Sequence, residues 1–389
     1  MPSLETLNGK LHVTLHYRRE GRVHAVNTVS IRSDRLRLSS RFFTGKSLET
    51  VPDIVGMLFS LCGTAQAVAS ARACERASGQ RATQAQEQQR DFRIRVETLF
   101  EHLLRLSQDW PEVLGYDAVP AAELQALFKR KRDVLQTAEP EAVLKDIRLW
   151  CESRLLGLPT QRWMDYCLRG DAKKLSIRGE IGNLMARLCR YNWELKGDAP
   201  LQPLLEFAPR WWEACLVSAQ AEHFCAEPAV GGQACETSSL TRQWENPALR
   251  VWRERHGSGL MTRLIARVLD MLTELEKLDR AVTPDRKSSL PAPLAGEGPG
   301  KGGTPQAGIS LLQTARGLLV HRVTQENGLI QSYQIVAPTE WNFHPQGALY
   351  HMLGDLTAGS EEELQALART LITALDPCVD YQLEIIPDA

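Results

Sequence analysis

A cysteine close to the end of the chain is the first residue whose type and setting could do chemistry. Cys378 follows Asp376 and Pro377 directly, after a helical pattern that ends at Leu375. Proline cannot continue a helix and disfavours helical backbone at the residue before it, so we predict an extended Asp376 and a rigid turn at Cys378. A thiolate on such a turn could ligate a metal ion, with partners from elsewhere in the chain. The alternative is a buried thiol that packs as a small apolar side chain.

The overall composition excludes several classes of protein. The chain has 389 residues, 43% hydrophobic and 24% charged, which is enough for a sizeable core and excludes global disorder. With 46 basic and 47 acidic residues, the net charge of −1 predicts neither a nucleic-acid nor a membrane partner. The sequence has no membrane-length apolar run, and its first residues lack a signal-peptide pattern. Nine cysteines without paired spacing predict reduced thiols, as in a cytoplasmic protein.

The elements that must position this thiol can be read from hydrophobic periodicity. Alternation predicts a hairpin at the start of the chain, and Phe42 and Phe43 form the apolar side of a short helix over 37–45. A long helical region over 51–78, capped by Thr50, is interrupted at Gly63 and continues as an alanine-rich run that would let another backbone approach closely. Further amphipathic helices are predicted over 92–110, 121–135, 139–156, 177–195, 201–222 and 260–278.

The pattern changes in the last quarter of the chain. Residues 285–308 are rich in glycine and proline and have the composition of a flexible insertion. Asn327-Gly328 between two alternating runs predicts a second hairpin. A last helix opens at Ser360, with Glu363 in the capping-box position, and leads to the cysteine turn. His223, Cys225 and Cys235 surround a loop, where a metal site is conceivable but an ordinary loop is favoured.

Four segments together resemble motifs of nickel–iron hydrogenase large subunits. Residues 52–73 resemble the segment in which a proline-led helix, Arg-Ile-Cys-Gly-x-Cys-Pro and an alanine-rich helix with a histidine follow one another. Ala315-Arg316-Gly317 resembles the family's Pro-Arg-Gly, and residues 337–342 resemble its Val-Pro-Ser-Thr-Trp-Asn. Asp376-Pro377-Cys378 resembles the start of Asp-Pro-Cys-x-x-Cys-x-x-His. The motifs occur in the family's order along nearly the whole chain.

The resemblance implies a fold of the α+β class. We expect a mainly helical, large-subunit-like architecture, in which a central helix bundle carries small peripheral β elements. It also implies one domain over residues 1–389, interrupted by the insertion at 285–308.

The N-terminal motif departs from the family at several positions. Phe59 occupies the first cysteine position, Cys62 keeps the second, and Gln66 stands in place of the histidine. The early Arg-Gly-x-Glu, whose glutamate moves protons in the family, aligns with residues 37–40, so Arg37 is kept and Ser40 replaces the carboxylate. Serine does not titrate near neutral pH and cannot relay a proton.

The C-terminal motif departs in the same direction. Cys378 is kept, but Tyr381 stands at the bridging cysteine and Glu384 at the closing histidine. Nickel sites of this kind need several soft thiolates, which two cysteines cannot supply. The resemblance therefore implies a chain that has lost nickel and is not an enzyme.

The residues that surround iron in the family are matched. There, iron carries cyanide and carbon monoxide, and the cyanides accept hydrogen bonds from the arginine of Pro-Arg-Gly and from the hydroxyl residue after the proline. Arg316 and Pro338-Thr339 match these positions, and a guanidinium is a multi-donor partner suited to an anionic ligand. Cys62 and Cys378 would be the two metal ligands. Arg316 could instead simply pair with a carboxylate.

This combination is similar to the HupK or HoxV group of hydrogenase accessory proteins. The resemblance implies a maturation scaffold that assembles or holds an Fe(CN)2CO precursor transiently. It implies the hydrogenase large-subunit precursor, a small assembly chaperone and other maturation proteins as partners. Two alternatives stay open: a cofactor-free mimic of the large subunit that binds chaperones or the small subunit, and a divergent hydrogenase subunit.

Overall fold

The computed structural model describes residues 9–34, 40–59, 61–283 and 306–388. Arg37, which the family motif singles out, and residues 285–305 of the predicted insertion lie outside these ranges. Ala307 and Gly308, the last two residues of the predicted insertion, instead begin a strand. Within the described residues, no helix combines the length and the apolarity that crossing a bilayer requires.

The described helices form most of the molecule. In the first half of the chain they are α1 Ser40–Phe43, α2 Val51–Leu58, α3 Gly63–Ala77, α4 Gln84–Leu104, α5 Trp110–Val113, α6 Ala121–Gln136, α7 Pro140–Trp150, α8 Thr160–Leu168, α9 Ala172–Leu175 and α10 Gly179–Tyr191. In the second half they are α11 Pro209–Val217, α12 Ala221–Ala226, α13 Ser239–Arg242, α14 Pro247–His256, α15 Leu260–Val282, α16 Pro338–Asn342, α17 Ala348–Gly354 and α18 Glu361–Leu375. Two π-helical turns, Arg105–Asp109 and Cys151–Leu156, extend α4 and α7.

The strands form three small sheets. They are β1 Leu11–Glu20, β2 Val23–Ser33, β3 Ala229–Val230, β4 Gln233–Ala234, β5 Ala307–Thr314, β6 Gly317–Glu326, β7 Leu329–Val336, β8 Thr357–Ala358 and β9 Tyr381–Pro387. One sheet has the order β8-β2-β1-β9, one is the β3-β4 pair, and the third has the order β5-β6-β7. Strand β9 runs parallel to β1, with Leu11 opposite Tyr381, so the two ends of the chain meet in one sheet.

The largest hydrophobic cluster surrounds α15, most of which is buried. The β5-β6-β7 sheet packs on α3 instead, through separate apolar clusters. An added Cβ at Gly308, on β5, would clash with the carbonyl oxygen of Ala73, on α3. The prediction that the alanine-rich helix admits a close backbone is therefore confirmed.

Several local predictions hold and others fail for identifiable reasons. Both predicted hairpins are present. A helix over 201–222 is wrong: α11 begins only at Pro209, because the preceding prolines disfavour helix and the Leu204 N–H bonds the Glu236 carbonyl oxygen (2.8 Å). Thr50 makes no side-chain cap. Phe43 is buried but Phe42 is largely exposed, so only one of the pair faces the core. Strands β5 and β9 were not foreseen.

A buried polar chain ties α3 to the β5-β6-β7 sheet. The His321 ring, on β6, bonds Gln66 Oε1 (2.9 Å) through Nε2 and the Tyr333 hydroxyl (2.8 Å) through Nδ1. All three side chains are buried. Burial lowers the pKa of His321 to about 3, so the folded protein holds a neutral imidazole well below neutral pH.

We expect His321 to make the fold sensitive to acid. Between pH 6.5 and about 3 the unfolded chain protonates His321 and the folded protein does not, so the free energy of unfolding falls as pH falls, by up to about 1.4 kcal/mol per pH unit. His321→Gln should remove this one-proton slope. Urea unfolding at several pH values measures it, and Tyr333→Phe, which keeps the imidazole, is the control. An unchanged slope in His321→Gln would contradict the assignment.

Candidate functional site

Cys62 lies in the tight turn between α2 and α3. It is the N-cap residue of α3: its carbonyl oxygen accepts the Gln66 N–H (3.0 Å), and its own N–H bonds the Phe59 carbonyl oxygen (3.1 Å). The helices cross closely here, because a Cβ on Gly63 would lie 2.6 Å from the carbonyl oxygen of Gly56. The predicted interruption of the helical region at Gly63 is therefore confirmed, and the break presents a half-buried thiol.

Cys378 is held by the third motif. Its Sγ lies 2.9 Å from the Thr339 hydroxyl, in the first turn of α16, and its backbone N–H points at the same oxygen (3.4 Å). Pro338 begins α16 and is buried, as is Thr339. The hydroxyl can donate to the thiolate or accept from the thiol, so it suits either state of the sulfur.

Arg316 extends from the turn between β5 and β6 and is 4% exposed. Its Nε donates to Asp376 (3.2 Å) and its Nη2 to Glu101 (2.8 Å). Within the described part of the chain, Nη1 has no hydrogen-bond partner. Burial alone would lower the pKa of Arg316, but Asp376, Glu101 and the two thiols of Cys62 and Cys378 raise it above its ordinary value. Both sulfurs therefore lie within electrostatic reach of this guanidinium.

Asp376 is the anion at the centre of this arrangement. Its carboxylate contacts Arg105 (2.7 Å), Arg267 (3.0 Å) and Arg316 (3.2 Å), and it is almost fully buried. Burial would raise the pKa of Asp376, but the three guanidinium groups hold it well below its usual range. The backbone is left-handed (φ 62°), which corrects the predicted extended conformation. The reason is that Asp376 ends α18 as its C-cap and turns its side chain into the arginines.

A second buried ion cluster supports the first. Asp270, on α15, bonds His102 (2.8 Å) and Arg242 (2.5 Å), and Arg242 also donates to the Ala315 carbonyl oxygen (2.9 Å) beside Arg316. Burial would raise the pKa of Asp270, but Arg242 and His102 hold it well below its usual range. Burial lowers the pKa of His102 despite the bond to Asp270. Arg242 thus links the Asp270 cluster to the turn that carries Arg316.

Sequence motifs singled out Cys62, Cys378, Arg316 and Thr339 separately. In the structure Thr339 contacts Cys378, and both thiols lie within electrostatic reach of Arg316. Among the described residues, no three His, Cys, Asp or Glu side chains converge as a metal site would require. The candidate protein ligands are therefore two thiols within electrostatic reach of Arg316, and the Thr339 hydroxyl lies beside the thiol of Cys378. That set fits a metal fragment that brings most of its own ligands and is anionic.

Sequence reasoning missed the residues that hold Arg316 and Asp376. Glu101, Arg105 and Arg267 lie on predicted helices, and a charge at an apolar position of a buried helix was the available signal. Arg105 begins the π-helical turn that extends α4, a local widening that is frequent at functional sites. The alternative prediction, that Arg316 pairs with a carboxylate, is also confirmed, since it donates to both Asp376 and Glu101.

The residues that replace a cysteine or the closing histidine of the large-subunit motifs lie in other surroundings. Phe59 packs against the apolar cluster around Phe43 and Tyr333. Tyr381 begins β9 and packs on the main core, and its hydroxyl lies near Arg369, Glu112 and Asp109. Glu384 lies on the exposed side of β9, where it accepts from Gln382 (2.9 Å), so it supplies no ligand to the cysteine pair.

The glycine loop near Cys225 and Cys235 forms the β3-β4 hairpin. Both thiols belong to the apolar cluster around Trp212, and burial raises the pKa of Cys225 to about 12. The ordinary-loop interpretation of this segment is therefore favoured over a metal site. All nine cysteines lie within the described ranges, and each is a free thiol there.

Comparison with known proteins places this geometry in context. Residues 256–380 match the family model of nickel-dependent hydrogenases. The chain is 30% identical to the hydrogenase expression/formation protein HupK of Azotobacter vinelandii and 29% identical to HupV of Azotobacter chroococcum mcd 1. Each match covers 97% of this chain and 99% of the relative.

Solved structures give the fold. The Ni-Fe-Se hydrogenase from D. vulgaris Hildenborough in the reduced state superposes with a TM-score of 0.59 at 18% identity. The superposition covers 92% of this chain and 95% of that one. The predicted α+β, large-subunit-like fold is therefore confirmed.

We expect Asp376→Asn to destabilise the protein by about 3–5 kcal/mol at pH 7, because it leaves three buried guanidinium groups without their shared anion. Urea unfolding measures the change. Asp109→Asn is the matched control: this carboxylate pairs with Arg105 and is partly exposed, so its loss should cost below about 1 kcal/mol. Equal effects of the two substitutions would contradict the central role of Asp376.

Proposed function

The chain belongs to the HupK family of hydrogenase expression/formation proteins and has a role in hydrogenase maturation, and from that premise we propose a specific task. It holds an Fe(CN)2CO precursor between Cys62 and Cys378 and passes it to a hydrogenase large-subunit precursor. The precursor is cargo, bound transiently. A small assembly chaperone and other maturation proteins are its further partners, in the cytoplasm, where thiols stay reduced.

The observation that carries this proposal is a buried guanidinium, that of Arg316, with both thiols within its electrostatic reach. The thiolates of Cys62 and Cys378 would bind the iron from the protein side, and the cyanide and carbonyl ligands of the unit would occupy further positions on it. Cyanide nitrogen is an anionic acceptor. The Thr339 hydroxyl, beside the Cys378 sulfur, and Arg316 Nη1 are the donors that we assign to it. Because Nε and Nη2 are anchored on carboxylates, Nη1 has a fixed direction.

The same set of residues argues against a hydrogen-converting enzyme. Nickel in a thiolate site would need cysteines where Phe59 and Tyr381 stand, and both aromatic side chains pack into apolar clusters. Glu384, at the family's closing histidine, is exposed. We infer an accessory protein that binds the iron unit, leaves nickel unbound and catalyses no hydrogen chemistry.

A cofactor-free mimic of the large subunit is the second candidate. It is favoured by the extent of the fold similarity, because a chain that superposes over nine-tenths of its length could present the same surfaces to assembly chaperones or to the small subunit. The mimic needs neither cysteine, which separates it from the carrier.

Infrared spectra test the carrier. Protein co-produced with hydrogenase maturation proteins and purified without oxygen should show cyanide and carbonyl stretching bands, with iron by metal analysis. Cys62→Ala and Cys378→Ala should each abolish the bands and the hydrogenase activity that depends on this protein, because a single thiolate is a weak anchor. Cys74→Ala, a buried cysteine later on the same helix as Cys62, is the matched control and should keep both.

The two candidates give opposite results in this experiment. Absence of bands and of iron in the unmodified protein would refute the carrier. Full hydrogenase maturation with both cysteines replaced by alanine would favour the mimic.

A further inference from the structure

A buried carboxylate on α4 holds the turn that carries Cys62. Glu97 accepts the backbone N–H of Thr64 (2.8 Å) through Oε2 and that of Ala65 (2.9 Å) through Oε1. These are first-turn amides of α3, which have no partner within the helix. Glu97 is 7% exposed, so it forms part of the interior and is not a surface cap.

The position of this carboxylate has an electrostatic consequence. The N-terminus of a helix attracts anions through its free N–H groups and its dipole, and α3 has fifteen residues. Glu97 already occupies two of those N–H groups. An anion bound to Cys62 therefore finds them taken and faces a like charge. The Arg316 guanidinium is a cation within electrostatic reach of both thiols.

The turn is fixed from a second direction by backbone contact. Gly56 and Gly63 approach so closely that neither tolerates a side chain without a shift, since an added Cβ lies 3.1 Å from Ala67 Cβ at Gly56 and 2.6 Å from the Gly56 carbonyl oxygen at Gly63. This contact holds the start of α3 against α2. Glu97 holds it against α4. The two constraints together leave the Cys62 residue little freedom to rotate.

We propose that Glu97 is a positioning residue for Cys62: it occupies the N-terminus of α3, sets the direction of the thiol, and so directs anionic cargo towards Arg316 and Cys378. The inference deepens the proposed function, since it concerns the same cysteine pair. Its first test uses cargo-free protein, so that it does not depend on iron.

Cross-linking of the two thiols by dibromobimane measures their relative placement, because this reagent fluoresces strongly only when both of its arms have reacted. Cys189, Cys215 and Cys225 are first replaced by serine to remove the other accessible thiols. Glu97→Ala should slow Cys62–Cys378 cross-linking by about tenfold or more, since a small misplacement of reacting groups has effects of that size. Total alkylation of unfolded protein should stay the same.

A matched control separates positioning from general loss of stability. Thr83→Ala removes the cap at the start of the same helix, α4, where Thr83 and Gln86 bond each other and neither touches the cysteine turn. It should lower the melting temperature and leave the cross-linking rate within about twofold of the parent rate.

Chemical rescue gives a result that a purely structural role would not. Formate is a small carboxylate that fits the space left in Glu97→Ala and can accept the freed N–H groups. Adding it should restore the cross-linking rate of Glu97→Ala and leave that of Thr83→Ala unchanged. Glu97→Gln, which keeps the shape and one acceptor, should fold and show an intermediate rate, and it replaces the alanine variant if that one does not fold.

The outcomes are distinguishable from those for the carrier. Unchanged cross-linking in Glu97→Ala and Glu97→Gln would overturn the inference. A loss in Glu97→Ala that formate does not reverse, matched by an equal loss in Thr83→Ala, would overturn it as well. In protein loaded with iron, Glu97→Gln should shift or broaden the cyanide bands. Absence of bands in every variant and in the unmodified protein would refute the carrier and leave the cross-linking result standing.

Discussion

The site depends on one buried carboxylate. Asp376 is surrounded by Arg105, Arg267 and Arg316, each from a different part of the chain. Buried charges are tolerated only when they are paired. This anion therefore requires three segments to meet at the end of α18: the π-helical turn after α4, the middle of α15 and the turn before β6. Cys378 lies two residues further on. The interaction that completes the fold also sets the position of the thiol.

The position of Cys62 is likewise set by contacts that hold the fold together. Two contacts place Cys62. One is the close approach of a glycine pair where α2 meets α3, and the other is a carboxylate from α4 that accepts the first amides of α3. Parallel pairing of β9 with β1 fixes the chain beyond Cys378. Two cysteines more than three hundred residues apart in sequence are therefore both within electrostatic reach of Arg316, although different contacts hold their two segments.

Local sequence signals succeeded where one physical rule acted alone. Asn327-Gly328 made a hairpin, and the alanine-rich run of α3 admitted the backbone of β5. They failed where a distant partner competed. Residues 201–208 have helical spacing of apolar side chains, but the strand-like bond from Leu204 to Glu236 takes their backbone. Pro377 predicted an extended Asp376, but three arginines and the end of α18 impose a left-handed one.

The sequence alone determined which chemical groups the site contains. Cys62, Cys378, Arg316 and Thr339 could be read from motif positions, and so could the absence of cysteine at Phe59 and Tyr381, since these are matters of residue type. Only the tertiary structure decided how those groups are held. That Glu101 and Asp376 orient Arg316, and that Glu97 occupies the helix beside Cys62, depends on pairing between charges far apart in the chain. Such pairing is set by which helices share the interior, and no local pattern encodes it.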